Sequence, residues 1–146
     1  MYEKSSMYSE PRNGWDSTSL PFTQPVADFP FYYCIASVAD PLTRTFYKIV
    51  KNGTDWLADP LARKFTWDHY GEVSILEPGN ERHMQRWPGF DVGVGALEPR
   101  DVVGYVPEGH DGMSSLPVLY MHDGQNVFGP GGMFGSWGAD TTADSL

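Results

Sequence analysis

Apolar and polar positions alternate along this chain in short runs broken by glycine and proline, and few segments sustain the 3.6-residue period of a helix. The pattern predicts strands and turns. The best element is residues 45–51, Thr-Phe-Tyr-Lys-Ile-Val-Lys, rich in β-branched and aromatic side chains. Asn52-Gly53 follows, a pair that readily adopts the positive φ of a hairpin turn, and Trp56 and Leu57 begin the return strand. Residues 31–38 form a second strand candidate and residues 64–67 a shorter one. Three or four such strands make a small sandwich-like sheet. From 77 to 100 the pattern loosens, with Pro78, Gly79, Pro88, Gly89, Gly93, Gly95 and Pro99 marking a linker. Beyond it, residues 101–106 read as a strand. Residues 116–121, Leu-Pro-Val-Leu-Tyr-Met, are nearly all apolar, which suits a strand covered on both faces, as in a parallel sheet. That run stops at the polar turn His122-Asp123-Gly124-Gln125-Asn126.

Composition narrows the picture. With 146 residues, 40% of them hydrophobic and 14% aromatic, the chain can bury a core and is expected to be globular. Its net charge of −9 repels a phosphate backbone or an anionic bilayer, so neither nucleic acid nor a membrane is an expected partner. Cys34 is the only cysteine, which excludes an intrachain disulfide; it is expected to be a small buried residue in a strand. The first residues lack the apolar region of a signal peptide, and no apolar run approaches the ~20 residues of a membrane-spanning helix. The expectation is a soluble protein, cytoplasmic by default.

Read in order, Asn13-Gly14-Trp15-Asp16, Tyr47-Lys48, Asn52-Gly53, Trp56-Leu57-Ala58-Asp59-Pro60, and Tyr70-Gly71-Glu72 with Ser74 resemble the early-set carbohydrate-binding domain of glycogen-binding regulatory subunits and branching enzymes. The resemblance covers roughly residues 7–76. It implies that Trp15, Lys48 and Trp56 contact glucan and that Tyr70 inserts beside the ring. Flat indoles stack on the apolar face of a pyranose, and an ammonium donates to hydroxyls. Ser74 departs from the pattern, standing where binding members carry an asparagine that bonds the sugar. The plainer reading, which we weigh first, has Trp15 and Trp56 filling the core and Lys48 a solvated strand residue.

The phrase "LPVLYMHDGQNVF" followed by "SWGAD", within residues 100–146, resembles the opening of the esterase-D-like branch of the α/β-hydrolases, which includes enterochelin, feruloyl and acetylxylan esterases. Members of that branch often carry an early-set domain in front. Ester hydrolysis by a serine passes through an oxyanion that needs preorganised donors, usually backbone N–H groups. The resemblance implies that the amide of Gln125 is the first such donor and that of Gly124 the second. His122 and Asp123, adjacent on a strand, point to opposite faces and are expected to hold the turn by local hydrogen bonds. One carboxylate and two amides in Asp123-Gly124-Gln125-Asn126 lack the acidic ligands of a calcium loop, so no metal and no cofactor is implied.

A serine hydrolase of this fold also needs a Gly-x-Ser-x-Gly elbow, then an acid, then a histidine. None follows the turn. Phe134-Gly135-Ser136-Trp137-Gly138 has a glycine directly before the serine instead of two before it, and Gly112-Met113-Ser114-Ser115-Leu116 fails at its last position. His69, His83 and His110 all precede the turn. Thr141 and Asp144 have capping-box-like spacing for a helix after Asp140. Residues 100–146 fall short of the roughly 200 or more of a complete domain of this kind, so a truncated product or fragment is expected.

The expected fold is therefore mainly β: an early-set, Ig-like β-sandwich over 1–76, a linker over 77–100, and the first strands of a truncated α/β-hydrolase sheet over 101–146. The expected function is the N-terminal portion of a Ser-His-Asp/Glu carboxylic-ester hydrolase with only its oxyanion turn present. Its partner would be a small-molecule or glycan-linked ester in the full-length parent. The alternative is a non-catalytic glycan-binding or regulatory module.

Overall fold

The computed structural model describes residues 6–7, 20–36, 44–77, 79–91, 93, 95, 98–130 and 133–145. The described chain is mainly β, with antiparallel sheets and two short helices. Strands β1 (Ser6–Met7), β3 (Ile49–Lys51) and β4 (Asp55–Leu57) form one sheet in the order β1-β3-β4. Strands β2 (Thr45–Tyr47), β5 (Lys64–Asp68), β6 (Gly71–Glu77), β7 (His83–Phe90) and β8 (Arg100–Val106) form a five-stranded sheet in the order β2-β6-β5-β7-β8.

Residues 45–51, expected as one strand, divide at Lys48, and the halves join different sheets. Tyr47 pairs with Ser74 of β6, whereas Ile49 and Val50 pair with Leu57 and Trp56 of β4. The hairpin between β3 and β4 forms as expected: Asn52 and Gly53 take φ of 56° and 75°, and Thr54 N donates to Lys51 O at 3.2 Å.

The core comprises Val50, Ala62, Phe65, Val73, Ile75, Met84 and Val127, all buried. Val73, Ser74 and Ile75 are buried in succession, so β6 is covered on both faces at its centre. Arg86 lies over the Phe65 ring at 3.8 Å and pairs with Glu72, which covers the outer side of that core.

Three expectations are corrected. The stretch 77–100, read as a linker, supplies β7, and β8 pairs with β7 in the same sheet as β2, β5 and β6. Pro88 and Gly89 mark a bulge there, not a break: the register slips between Trp87 and Phe90, Gly89 has φ 59°, and its N–H donates to Asp101 Oδ1 at 2.8 Å. Residues 116–121, expected as a buried strand, form none, and Leu119 and Tyr120 are 82% and 89% exposed. An apolar strand of that kind needs neighbours on both edges and both faces, and no described strand lies beside it. In the candidate strand 31–38, residues 31–36 hold only an isolated bridge from Thr23 to Tyr33, and 37–38 lie outside the described residues. Cys34 is accordingly half-buried and outside any strand; burial pushes its thiol pKa up.

Two helices follow β8. α1 (Gly124–Val127) is a single turn, and α2 (Ala139–Ala143) ends on Asp144. Both dock on the five-stranded sheet. The Phe128 ring lies 6.3 Å from that of Tyr105 on β8, and Trp137 N donates to Asn126 O at 2.7 Å.

Candidate functional site

Three residues of the stretches that resemble the early-set domain, Tyr47, Asp59 and Ser74, meet in a polar node. Tyr47 Oη donates to Asp59 Oδ2 at 2.8 Å, and Asp59 N donates to Ser74 Oγ at 2.8 Å. Asp59 also closes the turn around Pro60: Leu61 N donates to its Oδ1 at 2.8 Å and Ala62 N to its carbonyl at 3.0 Å. Burial first, then the Asp59 bond and charge, raise the Tyr47 pKa above its ordinary value, because each disfavours the phenolate. Ser74 is wholly buried beneath this node, so its hydroxyl serves the fold.

Lys48 is 5% exposed, and its Nζ reaches Asp68 Oδ1 at 3.4 Å and Tyr70 O at 3.5 Å. It is therefore not the solvated strand residue of the plainer reading. Trp56, on β4, is 42% exposed and so does not fill the core either. Tyr70 is 84% exposed in the turn between β5 and β6, its ring edge-on to His69 at 4.9 Å. The fold thus brings Lys48 to the backbone of Tyr70 and leaves Trp56 part-exposed and Tyr70 largely exposed. Trp15 lies outside the described residues.

At the turn that follows residue 121, Asp123 adopts the left-handed conformation, φ 58° and ψ 44°, and Asn126 N donates to its carbonyl at 2.8 Å. Its side chain makes no capping bond, so the backbone and not the carboxylate holds the turn, contrary to expectation. Gly124 and Gln125 are exposed in the first turn of α1, where a helix has no acceptor of its own for its N–H groups. Asn126 and Val127 are buried beneath them, and the Asn126 Oδ1 has no hydrogen-bond partner among the described residues. Ser136 is exposed in a loop, where its Oγ accepts from Gly138 N at 3.0 Å. The helix expected after Asp140 starts earlier: Gly138 is its N-cap, Thr141 Oγ1 donates to Gly138 O at 2.8 Å, and Asp144 stands at the C-terminal end.

A further site was not legible in the sequence. β5 and β7 pair only through Lys64 with Gln85 and Phe65 with Met84; beyond them the strands part. The gap is a cleft of about 520 Å³, with Thr66, Trp67 and Asp68 on one side, Arg82, His83 and Met84 on the other, and Gly129, Pro130 and Asp140 at its rim. Tyr105 also lines it. Asp144 reaches over from α2: Arg82 Nη1 donates to one carboxylate oxygen and Tyr105 Oη to the other. The bond to Asp144 raises the Arg82 pKa, and burial followed by that bond pushes Tyr105 up to about 12. Arg82, Tyr105 and Asp144 come from three separate parts of the fold across 62 residues, so no local spacing announces them. Among the described residues, no group of three or more His, Cys, Asp or Glu side chains could hold a metal ion. No described helix is long and apolar enough to cross a membrane. Comparison with models of protein families, with curated proteins and with solved structures returned no match to this chain.

Proposed function

We propose that this chain carries the oxyanion-turn part of a carboxylic-ester hydrolase acting on a small-molecule or glycan-linked ester. The observation that carries the reading is an apolar run, 116–121, leading into a left-handed Asp123 that presents the exposed Gly124 and Gln125. Gln125 N–H is the first donor to the oxyanion and Gly124 N–H the second. The serine, acid and histidine of the triad are contributed by polypeptide other than these residues, since the 146 residues contain no Gly-x-Ser-x-Gly. An oxyanion turn without a nucleophile has nothing to stabilise, so the chain by itself hydrolyses p-nitrophenyl acetate no faster than buffer.

The test begins with the coding sequence beyond the codon for Leu146, read in every frame for Gly-x-Ser-x-Gly and a later histidine. In a product that contains them, Gln125→Pro, which removes the amide hydrogen, lowers kcat by about 10²-fold. An unchanged kcat would show that the turn is no oxyanion hole. Activity of the 146-residue chain that is abolished by Ser136→Ala would place the nucleophile at Ser136 and overturn the reading.

A second reading, a glycan-binding or regulatory module, is favoured by the exposure of the Trp56 and Tyr70 rings. The ion pair that occupies Lys48 counts against it. Retention on glycogen, with maltoheptaose shifting the Trp56 indole resonance, would support it; absence of both would dismiss it.

A further inference from the structure

The contact between Asp144 and the cleft is that of a ligand with a receptor. A guanidinium and a phenol, each donating to one oxygen of the same carboxylate, form a recognition pair for that planar group. Both donors line the cleft, whereas the carboxylate that fills them arrives from α2 at its rim. The Arg82 and Asp144 side chains are 48% and 28% exposed. Ion pairs so exposed contribute little, and another carboxylate can displace Asp144 at small cost.

The rest of the cleft describes the rest of the ligand. Trp67 and Met84 supply apolar wall next to the receptor, and a volume of about 520 Å³ lies within the range of small-molecule sites. Asp140 disfavours further negative charge, as does the chain's net charge of −9. A monoanion with an apolar body fits these walls, and a multiply charged phosphate does not. We propose that this cleft binds a small carboxylate-bearing molecule, that Arg82 and Tyr105 are its carboxylate receptor, and that Asp144 occupies that receptor in cis as a competitor. The proposal is independent of ester hydrolysis and of the turn at Gln125.

The test is an NMR titration of the 146-residue chain with sodium benzoate at fixed ionic strength, alongside neutral benzamide and inorganic phosphate. Benzoate shifts resonances of Arg82, Tyr105 and Trp67. In Asp144→Asn it binds about twofold to fivefold more tightly, the share of an exposed ion pair now relieved. Adding Arg82→Gln to that variant removes the benzoate response; should that double variant lose its dispersed spectrum, Tyr105→Phe in the same background weakens it instead. Equal affinity of wild type and Asp144→Asn would overturn the competitor role. Benzamide binding as well as benzoate, phosphate binding better, or no shift with benzoate in Asp144→Asn would each overturn the carboxylate receptor.

Discussion

The backbone of Gly129 rests on the indole of Trp67: a Cβ added at position 129 would lie 2.5 Å from the ring. This contact, rather than a strand ladder, fastens the segment after α1 to β5, and it forms one rim of the cleft. Glycine is required twice over, by the close approach and by a φ of 59°. Gly129→Ala is therefore expected to destabilise the fold by about 1–3 kcal/mol, the usual cost of overpacking a filled site. Urea denaturation measures it. Trp67→Leu should relieve part of the penalty in a double-mutant cycle; strict additivity would mean that the ring is not what the new methyl meets.

Ser74 tests the polar node. Its buried hydroxyl accepts from Asp59 N, and Asp59 in turn accepts from Tyr47. Ser74→Ala leaves a part-buried amide without its partner, at a cost of about 1–3 kcal/mol. Because the three groups share one network, Ser74→Ala and Tyr47→Phe should couple by about 0.5 kcal/mol or more. Ser74→Asn, which puts a larger carboxamide at a wholly buried position, overfills the site and is expected to destabilise as well. A Ser74→Asn protein as stable as the wild type would show that space exists beside β6 after all.

How far the sequence disclosed this structure depends on the range over which each element is determined. The β3–β4 hairpin was legible because Asn52-Gly53 decides it locally, and β5 and β8 because their side chains favour extended backbone in any setting. β7 was hidden by Pro88-Gly89, since a bulge and a linker use the same residue types. Residues 116–121 misled because an apolar run records what could be buried, and burial depends on neighbours that no described strand supplies. Of the candidate site, the turn at Asp123 to Gln125 was legible as a turn. The clamp of Arg82 and Tyr105 on Asp144 was not, as three separated elements must first assemble.

Lys48 and Asp68 are expected to be unequal partners. The Lys48 side chain is 6% exposed and that of Asp68 31% exposed. Replacing the ammonium by a thioether of similar length removes a buried charge and leaves a carboxylate that still faces water and keeps its bond from Tyr70 N at 2.7 Å. Replacing the carboxylate takes the counter-charge from the buried ammonium and leaves it the Tyr70 carbonyl at 3.5 Å. Lys48→Met should thus change stability by no more than about 1 kcal/mol, and Asp68→Asn should cost about 1–3 kcal/mol. Guanidinium denaturation of the two variants decides the order. If Lys48→Met proved the costlier, Asp68 would be the member that depends on the pair.

Alkaline pH should reveal Tyr47. Its folded pKa lies above the ordinary 10.0, so the folded state holds the phenol proton more tightly than the unfolded chain does. The stability this contributes is complete below pH 10 and is lost as pH rises from there toward the folded pKa. Tyr105, raised for similar reasons to about 12, adds a slope of the same sign over the same window, though its exposure makes that share smaller. The urea midpoint of the wild type should therefore hold up to pH 10.0 and fall as pH rises from there to about 12. Tyr47→Phe, which carries no proton to lose, should lower stability at pH 8 by about 1 kcal/mol for the missing bond to Asp59 and then fall less steeply. Parallel curves for the two proteins would show that Asp59 and burial do not hold the Tyr47 proton.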